Sequence, residues 1–487
     1  MTRNTAKPLK ISPTMLPSEF HTTLTGEDLR WETIGLALVL TAAHAQHIHA
    51  DDSLFKLRDG TKLDKNDFIE DMIQATNDCI TLCQTHGAVS DLMVWLLTCN
   101  MQLISAHYGD NYHGTYRRMG EIITAMYAVG MHCESEAAGS EPIFLRESRR
   151  RMHACVYRYD KIMALFLGRP PMMTWRYSDR RMLLDLSDED VCSDDPEVLN
   201  EAIMGLSIEG WNNHGKIYPA SYFRLRCQHA VYKERLLEQS LAGEKDSDVV
   251  NNLQLILVEL TQFWESLPTQ LRYDLQDEGT WKCHGNRVSA RLHATYLEHL
   301  DMHFQIRRIL HRLKQHALSE LLSISLKLLT SSLAWPGATG KTEESRSRFG
   351  TVFHHFCFPA AGLLALELRR CTIENTPLPN TVSRADVIRN LSVLTSCLEW
   401  VVMPGDGNAR LCTELNKMLA MVLDEVLNYE PPLPNVNGDA DAFAAGTSGA
   451  GFFDMPPTEG LEPIPTEAED FLNWLDNASW GNNVTLF

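Results

Sequence analysis

The chain has no C-x-x-C pair. Its 12 cysteines stand singly between Cys79 and Cys412, and the two closest are Cys79 and Cys83. Unpaired, unpatterned cysteines argue against a disulfide framework and fit a reducing compartment. Long apolar runs are also missing. "IGLALVLTAA" is too short to cross a bilayer, and "LMVWLLTCNMQLISA" is broken by Asn100 and Gln102. The opening "MTRNTAKPLKISPTMLP" holds no apolar core of the kind a signal peptide needs, so a soluble, intracellular protein is expected. No segment sustains period-two alternation, and no sequence period repeats, which leaves neither a sheet nor a regular solenoid to organise the fold. Positive charge is scarce: 44 Lys and Arg against 63 Asp and Glu give a net charge of −19. Such a surface repels phosphate and makes the chain a poor nucleic-acid binder on its own.

What remains is helical periodicity. Apolar residues make up 44% of 487 residues, enough for more than one packed core. From about residue 19 to 430, apolar stripes recur at three- and four-residue steps. Tyr116, Met119, Ile123 and Met126 form one, and Met152, Cys155, Tyr159, Ile162 and Phe166 another. Leu253, Ile256, Leu257, Leu260 and Phe263 form a third, and Leu292, Leu297, Leu300, Phe304 and Leu310 a fourth. Gly and Pro interrupt the pattern at Gly168–Pro171, Pro196, Pro219, Pro268 and the loops near 336–340, 377–379 and 404–407. The expected fold is all-α, an irregular multi-helix body of packed antiparallel helices over 19–430, preceded by a flexible lead-in over 1–18.

From residue 431 the composition changes to Pro, Gly, Asn and Ala, and no Lys or Arg follows Lys417. Residues 431–487 are expected to be a disordered linker and acidic tail that carries aromatics. Within it Phe471, Leu472, Trp474 and Leu475, headed by Thr466 and Glu469, suit a short helix induced in a partner's groove. The tail is either such an activation segment or a helix that docks on its own domain.

Catalytic signals are weak. Gly340-Lys341-Thr342 ends like a phosphate-binding loop, but Trp335 stands where the first glycine belongs, so an inter-helix loop is expected. His44, His47 and His49 cluster, and His299 and His303 share a helical face, yet neither set has a third ligand at metal-site spacing. No nucleophile elbow occurs. The acidic run "LDLSDEDVCSDDPE" and the basic run Arg146, Arg149, Arg150, Arg151 are expected to be solvated. The basic run could also contact an acidic partner or act as an import signal. No catalytic residue, metal or cofactor is assigned.

Three ordered stretches carry a resemblance. The first is "TLTGEDLRWETIG", with Arg30 and Trp31. The second is "GTYRRMGEIITAMYAVGMH", with Gly130 and His132. The third is "ESRRRMHACVYRYDKIMALFLGRPPMM", with Arg150, Arg151, Asp160, Gly168, Arg169 and Pro170. Together they resemble the fungal-specific transcription factor domain, the middle homology region of fungal zinc-cluster transcription factors. The family usually has tryptophan after the arginine run, where this chain has His153, Ala154 and Cys155. The family's zinc cluster, C-x2-C-x6-C repeated, is not found in these 487 residues. The resemblance implies a nuclear regulator of pathway or secondary-metabolite genes. It implies work through the transcription machinery or a DNA-binding partner protein, with DNA contacted only indirectly unless a zinc cluster lies upstream of Met1, and homo- or heterodimers open. The motif residues are expected to be structural, with Arg169 reaching back to a carboxylate or helix-end carbonyl. A helical ligand-binding or partner-restraining module is the alternative.

Overall fold

The computed structural model describes residues 1–110, 112–134, 141–241, 248–273, 286–313, 318–335, 350, 352–401 and 407–430. The tail segment with Phe471, Leu472, Trp474 and Leu475, and the Gly340–Thr342 loop, lie outside the described residues. The apolar stripes become thirteen principal helices among the described residues. They are α1 Trp31–Gln46, α2 Lys65–Thr85, α3 Asp91–Tyr108, α4 His113–Ala128, α5 Ile143–Leu167, α6 Pro196–Met204 and α7 Pro219–Leu241. The remainder are α8 Val249–Ser266, α9 Asn286–Arg312, α10 Leu318–Leu333, α11 Phe358–Ile373, α12 Arg384–Val401 and α13 Ala409–Leu427. No strand occurs among the described residues, only two isolated bridges, Lys56 with Lys62 and Leu206 with Asn212. No described helix is long and apolar enough to cross a membrane.

Local chemistry sets the helix ends. Asp64 caps α2 by accepting the Asn66 and Asp67 N–H groups, and Ser90 caps α3 through Met93 N–H. Pro196 and Pro219 stand at the first positions of α6 and α7, where a missing N–H costs nothing, so these breaks are helix starts.

Two cores follow. Val39, Leu96, Leu97, Met119, Met126 and Tyr157 anchor the first, built from α1–α5. Gly35 lets α1 approach α3: a Cβ there would lie 2.8 Å from Leu96 Cδ2. Leu297, Phe304, Leu328, Phe353, Leu364 and Leu391 anchor the second, built from α9–α13. Helix α7 serves both, burying Ala220, Cys227 and Ala230 in the first and Tyr222 and Leu225 in the second. Because α5 packs along α7, the motif helix reaches the junction of the two halves.

The expected lead-in differs from a free segment. Thr5 is buried, donates to Glu32 Oε2 (2.9 Å) and accepts the Trp31 N–H (2.9 Å). Arg30 Nη2 holds the Thr5 and Lys7 carbonyls at 3.2 and 2.8 Å. A polar Thr and Pro composition reads as loose, but these few hydrogen bonds to the start of α1 position residues 2–7.

Candidate functional site

The motif stretches meet at charged junctions. Glu32, fully buried, takes Arg30 Nε and Nη2 (3.2 and 3.1 Å) and the hydroxyl of Ser90 (3.1 Å). Next along the chain, Asp91 takes a two-pronged grip from Arg149, at 2.8 and 2.9 Å. The N-terminus of α3 thus ties the first motif to the third. Trp31 itself donates its indole N–H to Thr2 (3.3 Å).

The arginine run corrects the expectation of a solvated face. A helix turns about 100° per residue, so three consecutive arginines aim at three different neighbours. Arg149 pairs with Asp91 and Glu141, Arg150 with Glu134 and Glu147, and Arg151 with Asp188. Arg150 and Glu147 are buried. Burial pushes the Glu134 carboxyl up, but hydrogen bonds from Arg150 and the Arg181 N–H outweigh it and hold Glu134 below its ordinary value. The acidic run is likewise only partly solvated. Asp185 is buried and accepts from Asn212 (2.5 Å from its side chain, 3.1 Å from its backbone) and from Ser221.

Gly130 takes φ +67° at the turn after α4. Arg180 gathers the carbonyls of Gly130, Met131 and Cys133, and Ser178 takes that of His132 (2.7 Å). The His132 ring lies edge-on to Tyr127 at 4.8 Å. Where the family has tryptophan, His153 is buried between Tyr157 and Trp175, ring centres 6.4 and 6.0 Å away. Burial, helped by the charge of Arg180, lowers its pKa to about 4.

At the end of α5, Gly168 adopts φ +61°, and both its N–H and that of Arg169 turn back to the Ala164 carbonyl. Arg169 does not reach a carboxylate. Its guanidinium lies over the Tyr116 ring, 4.7 Å from the centroid, and Tyr116 donates its hydroxyl to the Pro170 carbonyl (3.3 Å). Asp160 performs the reaching instead. Its two oxygens accept the N–H groups of Met172 (2.9 Å) and Met173 (3.0 Å), and Lys161 Nζ lies 2.8 Å from Oδ2. Residues 168–171 bulge outward, so the short carboxylate one side of the loop meets the backbone that returns on the other. Lys161, buried, also faces Glu234 Oε2 at 3.3 Å, and Glu234 accepts from Tyr157 (2.5 Å) and Thr174 (2.7 Å).

A cavity of about 790 Å³ opens between the two halves. Arg158 of α5, Arg226 and Lys233 of α7, and Glu298, Asp301 and Arg308 of α9 line its polar side. Phe166, Ile309, Trp335 and Phe356 contribute to its apolar side. Its volume is within the range of small-molecule sites. Apart from Arg158, which lies within the third motif stretch, none of these charged residues belongs to a motif. The one sequence hint is that Glu298 and Asp301 interrupt the stripe Leu297, Leu300 and Phe304 on a helix buried almost all round. His299 and His303 do share a face, Nε2 to Nε2 3.2 Å, in a ring cluster with Trp264 and His229. Among the described residues no group of three or more His, Cys, Asp or Glu could hold a metal ion.

Comparison with known proteins places these observations. No curated protein and no solved structure matches the chain. Residues 36–240 match the family model described as the fungal specific transcription factor domain, a span that runs from α1 to the end of α7 and contains the second and third motif stretches. Over residues 36–240 the chain is thus similar to the fungal specific transcription factor domain, and this match indicates a regulator of the fungal transcription-factor type.

Proposed function

We propose that this chain is a nuclear transcriptional regulator of a fungal pathway or secondary-metabolite gene cluster. It acts through protein contacts rather than catalysis, and DNA is read by another segment or by a partner protein. The family match over residues 36–240 carries this reading. The composition of the tail supports a division of labour: a helical body that senses or docks, and an acidic-aromatic segment, centred on Phe471, Leu472, Trp474 and Leu475, that recruits the transcription machinery. Residues 431–487 fused to an unrelated DNA-binding domain should drive a reporter, and Phe471→Ala with Trp474→Ala should abolish that activity. A silent fusion, or activity indifferent to both substitutions, removes the tail from the mechanism.

A second reading is favoured by the cavity. A helical module that binds a small molecule and thereby restrains or releases a partner fits a 790 Å³ space walled by both halves. A ligand seated there would touch α5, α7 and α9 together and bias how they pack. A melting-temperature rise with a metabolite of the regulated pathway is the expected outcome; no rise with any of them argues for contacts through protein surfaces alone.

A further inference from the structure

Among the described residues that line the cavity, cations outnumber carboxylates. Arg158 Nη2 and Arg226 Nε both donate to a single oxygen, Glu298 Oε1, at 2.5 and 2.7 Å. The other oxygen, Oε2, accepts no hydrogen bond, and Lys233 Nζ stands 3.9 Å from it, too far to donate. The Lys233 side chain is 4% exposed and has no hydrogen-bond partner among the described residues. Arg291, Arg308 and Arg312 also line the cavity, together with the carboxylates Asp110 and Asp301. Burial pushes Asp301 up, toward its neutral form, in spite of Lys233. An ammonium removed from water without a close counter-ion is costly, and so is an unpaired guanidinium N–H such as Arg158 Nε. An anion entering the cavity would relieve both. The aromatic and aliphatic residues in the same lining would cover a body that water solvates poorly.

We propose that this cavity is a binding site for a small organic anion: one acidic head on Lys233, Arg226 and Arg308, and an apolar body against Phe166, Trp335 and Phe356. This deepens the ligand-binding reading above by naming the ligand's chemical class. Arg226 and Lys233 lie on α7, the helix shared by both cores, so an occupied site pulls on the element that joins them.

The test uses the full chain and two probes of one shape, 1-anilinonaphthalene-8-sulfonate and its uncharged counterpart N-phenyl-1-naphthylamine. The sulfonate should bind saturably at one site, more tightly than the neutral probe. Lys233→Met should weaken the sulfonate at least roughly tenfold, the scale of one charge-assisted contact, and leave the neutral probe unchanged. Arg308→Gln, at the half-buried edge, repeats the test without touching Glu298. With no anion present, Lys233→Met should melt at the parent's temperature or higher, because it removes a poorly compensated buried charge. Equal binding of both probes, or sulfonate binding indifferent to both substitutions, overturns the proposal. So does a lower melting temperature for Lys233→Met, which would make Lys233 a structural counter-ion. Saturable sulfonate binding upholds the site even if the tail fusion drives no reporter, so failure of the one is separable from failure of the other.

Discussion

Replacing Asp160 by alanine removes the carboxylate that closes the loop after α5. The N–H groups of Met172 and Met173 lose their acceptors, at 2.9 and 3.0 Å, where Met173 is buried and Met172 half-buried. Each unpaired buried N–H costs roughly 1–3 kcal/mol. Lys161 loses its nearest carboxylate oxygen and keeps Glu234 at 3.3 Å and the Met173 carbonyl. Breaking one partner of a buried pair costs about 3–5 kcal/mol, and that is the total expected here. For a unit of this size it is a fall in melting temperature of roughly 6–20 °C. Hydrogen exchange should show the loss first at the amides of residues 172–175. Asp160→Ala combined with Lys161→Met should recover about 1 kcal/mol or more, because the stranded ammonium is gone and methionine packs on the Tyr157 ring that Lys161 now covers at 4.6 Å. A single variant that melts within about 2 °C of the parent, or a double variant no more stable than the single, refutes the assignment of Asp160 as the clasp.

Acid should weaken the fold through its buried histidines. Burial lowers His153, His293 and His303 to about 4 and His229 to about 3, from an ordinary 6.5. The unfolded chain therefore binds more protons between pH 4 and 6.5, and stability falls as pH drops through that window. The expected loss is about 1 kcal/mol per histidine on going from about pH 7 to about pH 5.5, read as a falling urea midpoint. Replacing His229 by Phe should flatten that slope. Arg150→Ala leaves buried Glu147 with only the Leu184 N–H, and Glu134 with the Arg181 N–H and Arg180 at 3.9 Å, at a cost of about 3–5 kcal/mol. Arg150→Lys should recover only part of it, for want of the fork, as measured by urea unfolding. Gly168→Ala forces a Cβ at φ +61° and should cost about 1 kcal/mol. Arg169→Ala loses a half-buried cation over Tyr116 and should cost at most about 1 kcal/mol. A larger effect for Arg169 than for Asp160 in the same melt would reverse their roles.

The resemblance to the fungal transcription factor domain was legible because its marks are local in order and unusual in composition. What each mark does was not. The pattern Arg149-Arg150-Arg151 reads as a surface because arginine is seldom buried, yet its partners come from residues 91, 134, 141, 147 and 188. Arg169 looked like the group that reaches back across the turn, and Asp160 is the one that does. Nothing in the spacing tells which end of a nine-residue stretch supplies the clasp, since that depends on where the chain returns after Pro171. The cavity residues were less visible still. Arg158, Arg226, Lys233 and Glu298 lie on three helices separated by up to 140 positions and converge only when α5, α7 and α9 pack.

The sequence by itself determined that this is an all-α body, where most of its helices begin and end, and which family it resembles. Those properties depend on periodicity, caps and breakers within a few residues of one another. Only the tertiary structure decided that Arg150 is buried and its two neighbours are tied into ion pairs, that Asp160 rather than Arg169 closes the motif loop, and that the two halves leave a cationic cavity between them. Charge pairing is a contact between distant segments, and whether a charged side chain meets water, a partner or an empty space is settled by packing alone.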